Sequence, residues 1–428
     1  MEAPIERSWT VWQDGMAANS TGPARVAMLA HTYYLRDPRV RREAEALAAT
    51  GLEVHVICLS EARNTRGERE PRQAVVNDVH IHRLPVSRRR GGPLRYLYEY
   101  FLVGLLGGLK LTQLHLRARL DVVHVHNMPD LLVLAALIPR LGGSKVILDV
   151  HDPMPELYMS WNHDAGSLLV RFLRLQEKIS HAFAHRVVSV NETMRENLRA
   201  KGVTDTKIFI VNNFPDERVF PVLETRRSWP QRKDRLTLLY CGTVTEHYDL
   251  GLAVRAMASL AGEIPVKLRI LGEGNRLTEV LSLASTLGIA DSVEHIASVP
   301  IDRVRDEMRK ADVGISCHRA GIFGDLYFAT KIVEYLTQSL PVLTRRTYTI
   351  GKYLPDDSVF YFEPGSEPAL VETLRFMWNN PAEVLRRLAV ARELLPRLSW
   401  QAEKTHFLSF YSDLTRDVRP AAPVLSER

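Results

Sequence analysis

At 428 residues, 46% hydrophobic and 25% charged, the chain has the composition of a soluble globular protein and exceeds one ordinary core. Two domains of roughly 150–200 residues suit that length. The three cysteines, Cys58, Cys241 and Cys317, are far apart in apolar runs, which excludes a disulfide frame or a C-x-x-C metal site and fits buried thiols in a reducing compartment. A net charge of +6 and a pI near 9.2 come with no zinc, helix-turn-helix or RNA-binding signature, so nucleic acid is excluded as a partner.

In chain order, residues 1–23 are polar and lack the apolar core of a signal peptide, and they read as a disordered leader, with Met16 an alternative start. A strand-like R-V-A-M-L-A, a helix V-R-R-E-A-E-A-L-A-A-T stopped by Gly51, and a strand E-V-H-V-I-C-L follow. Then a basic cluster, including Arg88, Arg89, Arg90 and Arg95 around Gly91 and Gly92, leads into an aromatic and leucine-rich run. Its uncharged part, from Glu99 to Lys110, is about half the twenty residues a bilayer needs, so it does not span. Residues 88–111 are expected to lie on an anionic membrane face, with aromatics at the interface and arginines on headgroups. The competing expectation is a core-packed helix beside a solvated basic loop.

Strand-like runs D-V-V-H-V-H, K-V-I-L-D-V, R-V-V-S-V and K-I-F-I-V continue the alternation with helices that marks parallel sheets. Residues Asp216 to Arg235, rich in charge and proline, read as a linker. A second strand series begins at L-T-L-L-Y-C-G and ends at L-P-V-L-T. The predicted organisation is therefore α/β, with two Rossmann-like domains, 24–215 and 216–399, facing across a cleft where a ligand binds. A helix over 400–418, after the break at Pro396, is expected to pack back on the first domain, and 419–428 to form a flexible tail.

The segment from Arg319 to Thr344 carries the chemistry most plainly. A glycine-bearing loop runs into a short amphipathic helix opening with Thr330 and Lys331, with Glu334 one turn in. A helix start gathers free N–H groups and partial positive charge, a seat for a diphosphate to which Lys331 adds a full charge. An ionised Glu334 accepts hydrogen bonds from a ribose diol. Together they point to a nucleoside diphosphate donor. Gly242, and Gly272 with Gly274, each end a strand and let backbone approach a ligand. Neither domain has the full G-x-G-x-x-G of a dinucleotide-binding oxidoreductase, and there is no nucleophile elbow, P-loop or catalytic cysteine frame. His124, His126, His151 and Asp152 stand at strand ends in the first domain, without a further ligand set at metal spacing.

Taken together, D-P-R-V-R-R-E-A-E-A-L-A-A-T-G-L-E-V-H-V-I, D-V-V-H-V-H-N, V-H-D-P-M-P-E, V-N-N-F-P-D-E-R-V-F, Y-C-G-T-V-T-E, the G-E-G loop, A-D-V-G-I-S and T-K-I-V-E-Y-L-T-Q-S-L-P-V resemble glycosyltransferase family four, in the family's order and over nearly the whole chain after Arg25. The resemblance implies the GT-B fold and a retaining transferase using a nucleotide sugar, with no metal or other cofactor. It implies that Gly242, Thr243, Gly272, Gly274, Val299, Lys331 and Glu334 hold the donor nucleotide. His151, Lys331 and Asp325 would serve catalysis, and Asp37, Arg39 and Asn127 would line the acceptor side. The acceptor implied is a glycan or a lipid-linked sugar, and the expected location is cytoplasmic, peripheral on the inner membrane face. Two departures stand out. Leu326 replaces the first glutamate of the family's E-x7-E pair, with Asp325 beside it, and His247 and Asp249 occupy positions where basic residues are frequent. A nucleotide-sugar epimerase, a glycoside phosphorylase and a non-catalytic nucleotide-sugar binder are the competing readings. Donor and acceptor specificity is expected in His31 to Arg42 and Ala320 to Ala329.

Overall fold

Runs of valine, isoleucine and leucine without polar alternation bury both faces of a strand, and here they pair into two separate sheets that are parallel except at one edge. The computed structural model describes residues 22–61, 70–88, 93–160, 164–223, 228–231, 234–319 and 321–418. Most of the expected leader, Arg89 to Gly92 of the basic cluster, Ala320 and the tail 419–428 lie outside the described residues.

The first sheet holds β1 (Arg25–Leu29), β2 (Glu53–Leu59), β3 (Gln73–Val76), β4 (Val79–Leu84), β5 (Val122–His126), β6 (Lys145–Val150), β7 (Arg186–Ser189) and β8 (Ile208–Ile210). Their order is β3-β4-β2-β1-β5-β6-β7-β8, and β3 alone runs antiparallel. The second sheet holds β9 (Leu236–Cys241), β10 (Val266–Leu271), β11 (Val293–Ile296), β12 (Val313–Ser316), β13 (Val342–Arg345) and β14 (Phe360–Phe362), ordered β11-β10-β9-β12-β13-β14. In each sheet the chain reverses direction beside its first strand, between β1 and β5 and between β9 and β12. Ligands of open parallel sheets bind outside the strand C-termini at such reversals.

Right-handed crossovers sort the helices by direction of travel along the sheet. The helix Pro38–Ala48 covers one face of the first sheet, packing Val40, Ala44 and Leu47 against Val26, Met28 and Val56. The helix Pro93–Arg117 and the turn Asp130–Ala136 cover the other, with Val103, Leu111, Leu132 and Val133 against Ala27, Leu29, Val123 and Val125. The last helix, Trp400–Val418, sets Trp400, Phe407, Phe410 and Tyr411 into the core of the first sheet, not the second. The segment 216–235 is more than a connector. Phe220 and Trp229 are buried in the second domain, and Trp229 Nε1 donates to Asp312 O at 3.0 Å. Proline and charge hid this apolar anchorage from periodicity.

The two domains meet through hydrogen bonds from Asn191 Nδ2 to Leu326 O (2.9 Å) and from Thr330 Oγ1 to Asn213 O (3.1 Å). Tyr353 OH adds a bond to Asn212 Oδ1 at 2.7 Å.

Candidate active site

The donor side is built where β9 ends. Gly242 has φ +136°, and a Cβ there would stand 2.8 Å from Lys331 Nζ, so a side chain at this position would collide with the ammonium. A Cβ at Gly274 would overlap Val244 O, and one at Gly272 would overlap Gly242 O, so the two loops pack backbone against backbone. Lys331 enters from the first turn of the helix Thr330–Thr337. Its Nζ lies 4.0 Å from the ring centroid of Tyr240 and 3.8 Å from that of Tyr248, two cation–π contacts. The same atom is buried without a hydrogen-bond partner among the described residues. Burial pushes the ammonium down to about 7. One turn on, burial pushes Glu334 up to about 7, against the pull of Lys331 and Arg42.

A cleft of about 940 Å³ opens over this corner, lined by Gly242, Thr243, His247, Tyr248, Asp152 and Lys331 among others. Gly242 and Thr243 also line an adjoining hollow of about 350 Å³ with Gly272, Gly274 and Val299. Glu334 lines neither. Asp325 is turned elsewhere: its carboxylate accepts from Arg345 Nη2 at 2.8 Å, and it is absent from the lining of the cleft. Asp249 caps the helix Leu250–Ser259 by accepting from Leu252 N at 3.1 Å, leaving His247, whose protonation burial disfavours, to face the cleft.

The acceptor side rests on a buried carboxylate. Arg39 grips Asp149 through Nε (2.7 Å) and Nη2 (3.0 Å) and reaches Glu43 Oε1 at 3.2 Å. His126 Nδ1 lies 3.0 Å and His151 Nδ1 3.9 Å from Asp149 Oδ2, and His124 Nδ1 meets Tyr411 OH at 2.6 Å. Burial alone would raise the Asp149 carboxyl, but Arg39 and the histidines hold it well below the usual range. Burial likewise opposes a proton on His151, yet Asp149 wins and raises its pKa. Glu43, His124, His126 and Asp149 bring ligand-type atoms within 4.8 Å of one another, and the Arg39 guanidinium lies against two of them, Asp149 at 2.7 Å and Glu43 at 3.2 Å.

The three residues expected on the acceptor side have local tasks. Asp37 caps the helix Pro38–Ala48, accepting from Arg39 N and Val40 N at 3.1 Å each. Arg39 is spent on Asp149 and Val211 O. Asn127 Oδ1 accepts from His151 N (3.1 Å) and Asp152 N (3.3 Å), and its Nδ2 donates to Asp130 Oδ1 (2.9 Å), so it shapes the turn that presents His151. Asp152 lines the donor cleft, a hollow of about 180 Å³ with Asp37, Asn127 and His151, and a third of about 330 Å³ with Arg39 and His151. Lys331 thus faces the donor cleft and His151 the two smaller hollows, with Asp152 in the lining of all three.

Asp149, Tyr240 and Tyr248 were not singled out from sequence. Asp149 lies in β6 two residues before His151, which follows directly on the strand's end. Tyr240 likewise lies in β9 two residues before Gly242, which follows that strand's end. That period-two spacing was the available signal.

The family profile for the glycosyl transferase 4-like domain matches residues 37–213, and that for glycosyl transferases group 1 matches residues 222–392. The chain is 22% identical over 380 residues to N-acetyl-alpha-D-glucosaminyl L-malate synthase of Bacillus anthracis, covering 87% of this chain and 92% of that protein. It is 23% identical over 262 residues to the phosphatidylinositol N-acetylglucosaminyltransferase gpi3 subunit of Schizosaccharomyces pombe, covering 60% of this chain and 53% of that protein, about half the relative's length. In fold it is similar to sucrose-phosphate synthase from Thermosynechococcus elongatus (TM-score 0.75, 15% identity, 92% of this chain and 100% of that one). It is also similar to Anabaena HepE in complex with UDP (TM-score 0.64, 11% identity, 91% and 100%). With both halves matched in the family's order and both sheets arranged as in the GT-B enzymes, the chain belongs to the family-four, group 1 glycosyltransferases.

Proposed function

We propose that the protein moves a sugar, with retention of anomeric configuration, from a nucleoside diphosphate sugar to a hydroxyl of a lipid-linked or polysaccharide acceptor at the inner face of the membrane. One observation carries this reading: the Lys331 ammonium, buried without a hydrogen-bond partner among the described residues, stands against the Gly242 loop in the lining of the cleft. A buried ammonium that no hydrogen-bond acceptor satisfies, at the edge of a cleft, is a seat for a diphosphate.

In the reaction, the acceptor oxygen bonds to the anomeric carbon on the face from which the nucleotide leaves. The bond from that carbon to the diphosphate oxygen breaks, and the acceptor proton passes to the departing oxygen. No protein base is required. Lys331 and the amides opening its helix stabilise the charge that develops on the diphosphate. His151, kept inclined to its protonated form by Asp149, hydrogen-bonds the transferred sugar. Support for a nucleotide-sugar donor comes from HepE, which binds UDP, and for a lipid acceptor from the phosphatidylinositol-modifying relative.

A thermal-shift screen against UDP, GDP, ADP and TDP sugars tests donor binding, since ligand at a hundred times its Kd stabilises by about 2.7 kcal/mol. Incubation with the stabilising donor should then release nucleoside diphosphate slowly. No stabilisation by any donor removes the reading, an isomerised donor indicates an epimerase, and an inverted product rejects retention.

A further inference from the structure

Three elements on one face of the first sheet expose an apolar surface that the transferase site does not use. On the helix Pro93–Arg117, Tyr98, Phe101, Leu105 and Leu109 recur at spacings of three and four and stand open to solvent, Phe101 at 68%. Leu137, Ile138 and Leu141 are exposed on the next short helix. On the helix Leu168–Phe183, Leu168, Phe172, Leu175 and Ile179 form a second outward stripe, Leu168 at 81%. Both long helices pack against the turn Asp130–Ala136, so the stripes lie side by side. Most of the exposed large apolar side chains among the described residues fall on these elements.

The charges around this surface are of one sign. Arg95, Arg117, Arg171, Arg174 and Lys178 point outward. The carboxylates of the same elements all turn inward. Glu99 pairs with His31 Nε2 at 2.7 Å, Asp130 accepts from Asn127, and Glu177 accepts from Lys201 Nζ at 2.7 Å. Among the described residues no helix is long and apolar enough to cross a membrane. An apolar plane rimmed by cations, whose own helices carry no exposed acid, is complementary to an anionic bilayer surface.

We infer that this three-helix face docks the protein on an anionic lipid surface, with Phe172 and Leu168 entering the headgroup layer beside Phe101 and Leu105. The surface is wider than residues 88–111 and is centred between two helices distant in sequence. It also adjoins the acceptor hollow. Tyr100, on the first of these helices, lines that hollow with Arg88, His31 and Asn127. A docked protein thus holds the hollow near the headgroups, where a lipid-linked hydroxyl resides. Vesicle binding is read without turnover, so failure here and failure of the transfer reading are separate results.

The test is flotation of the full chain with phosphatidylcholine vesicles, with and without phosphatidylglycerol. Binding is expected only with phosphatidylglycerol and should weaken about tenfold at high salt. The Leu168→Ser/Phe172→Ser variant should lose about tenfold in vesicle affinity with an unchanged Tm, and the Arg171→Glu/Lys178→Glu variant should lose as much. Absence of flotation at low salt overturns the inference, as does equal binding to neutral vesicles. So does a dimer abolished by the serine variant when flotation is absent, since the face would then belong to a second copy.

Discussion

Arg39 holds Asp149 by two hydrogen bonds, of 2.7 and 3.0 Å, and so fixes the carboxylate 3.9 Å from His151 Nδ1. Helix, strand and strand-end turn are tied in one buried group, and the orientation of the histidine follows from a residue more than a hundred positions away. Removing the charge of Asp149 leaves the buried guanidinium with Glu43 as its one close carboxylate among the described residues. We expect Asp149→Asn to destabilise the protein by about 3–5 kcal/mol in urea unfolding. A loss below about 1 kcal/mol would show that the pair is dispensable.

His151→Ala removes the imidazole but not the Asn127 bonds to the backbone of its turn. Turnover should fall by roughly 10²–10³, the scale for loss of one placed electrostatic contact, while nucleoside diphosphate affinity changes little. Wild-type turnover in this variant would exclude His151 from the reaction.

Lys331 has been held in the free protein at an energetic cost. Lys331→Met keeps an unbranched apolar side chain, one heavy atom shorter, and removes a buried donor that lacks an acceptor among the described residues. The variant should be more stable by about 1–3 kcal/mol and bind nucleoside diphosphate about 10- to 100-fold more weakly. Calorimetry and thermal unfolding read the two effects separately, and unaltered affinity contradicts the phosphate role.

Glu334→Ala should weaken donor binding strongly and leave the fold intact, with the loss traced to the ribose when 2′-deoxy donors bind wild type as weakly. The pH dependence has a definite sign. The folded-state pKa of Glu334, about 7, exceeds the usual carboxylate value, so its proton favours the fold below about 4.5 and that advantage is lost as pH rises to 7. Glu334→Gln should flatten that part of the stability profile; an unchanged slope between pH 4.5 and 7 would refute the shift.

Burial pushes Lys331 down to about 7, so the free protein does not hold it fully charged at neutral pH. A diphosphate favours the ammonium, so binding should take up protons and weaken as pH rises above 7. Titration at pH 7.5 in buffers of differing ionisation enthalpy measures that uptake. Zero uptake would mean the lysine is already charged.

The sequence by itself determined the two-sheet architecture, because unbroken apolar strands alternating with amphipathic helices have few other solutions. It also placed Lys331, Gly242 and His151 at strand and helix ends, where local geometry alone exposes functional groups. What it left open depended on contacts between distant segments. Asp325, next to the missing glutamate, pairs with Arg345 twenty residues on. Arg39 is drawn inward by Asp149, and it is burial that pushes the Lys331 ammonium down. Residues 88–111 showed only one half of an apolar surface whose other half lies on Leu168–Phe183. Periodicity reports which face of a helix is apolar, but only packing decides which faces are covered and which charges lose their water.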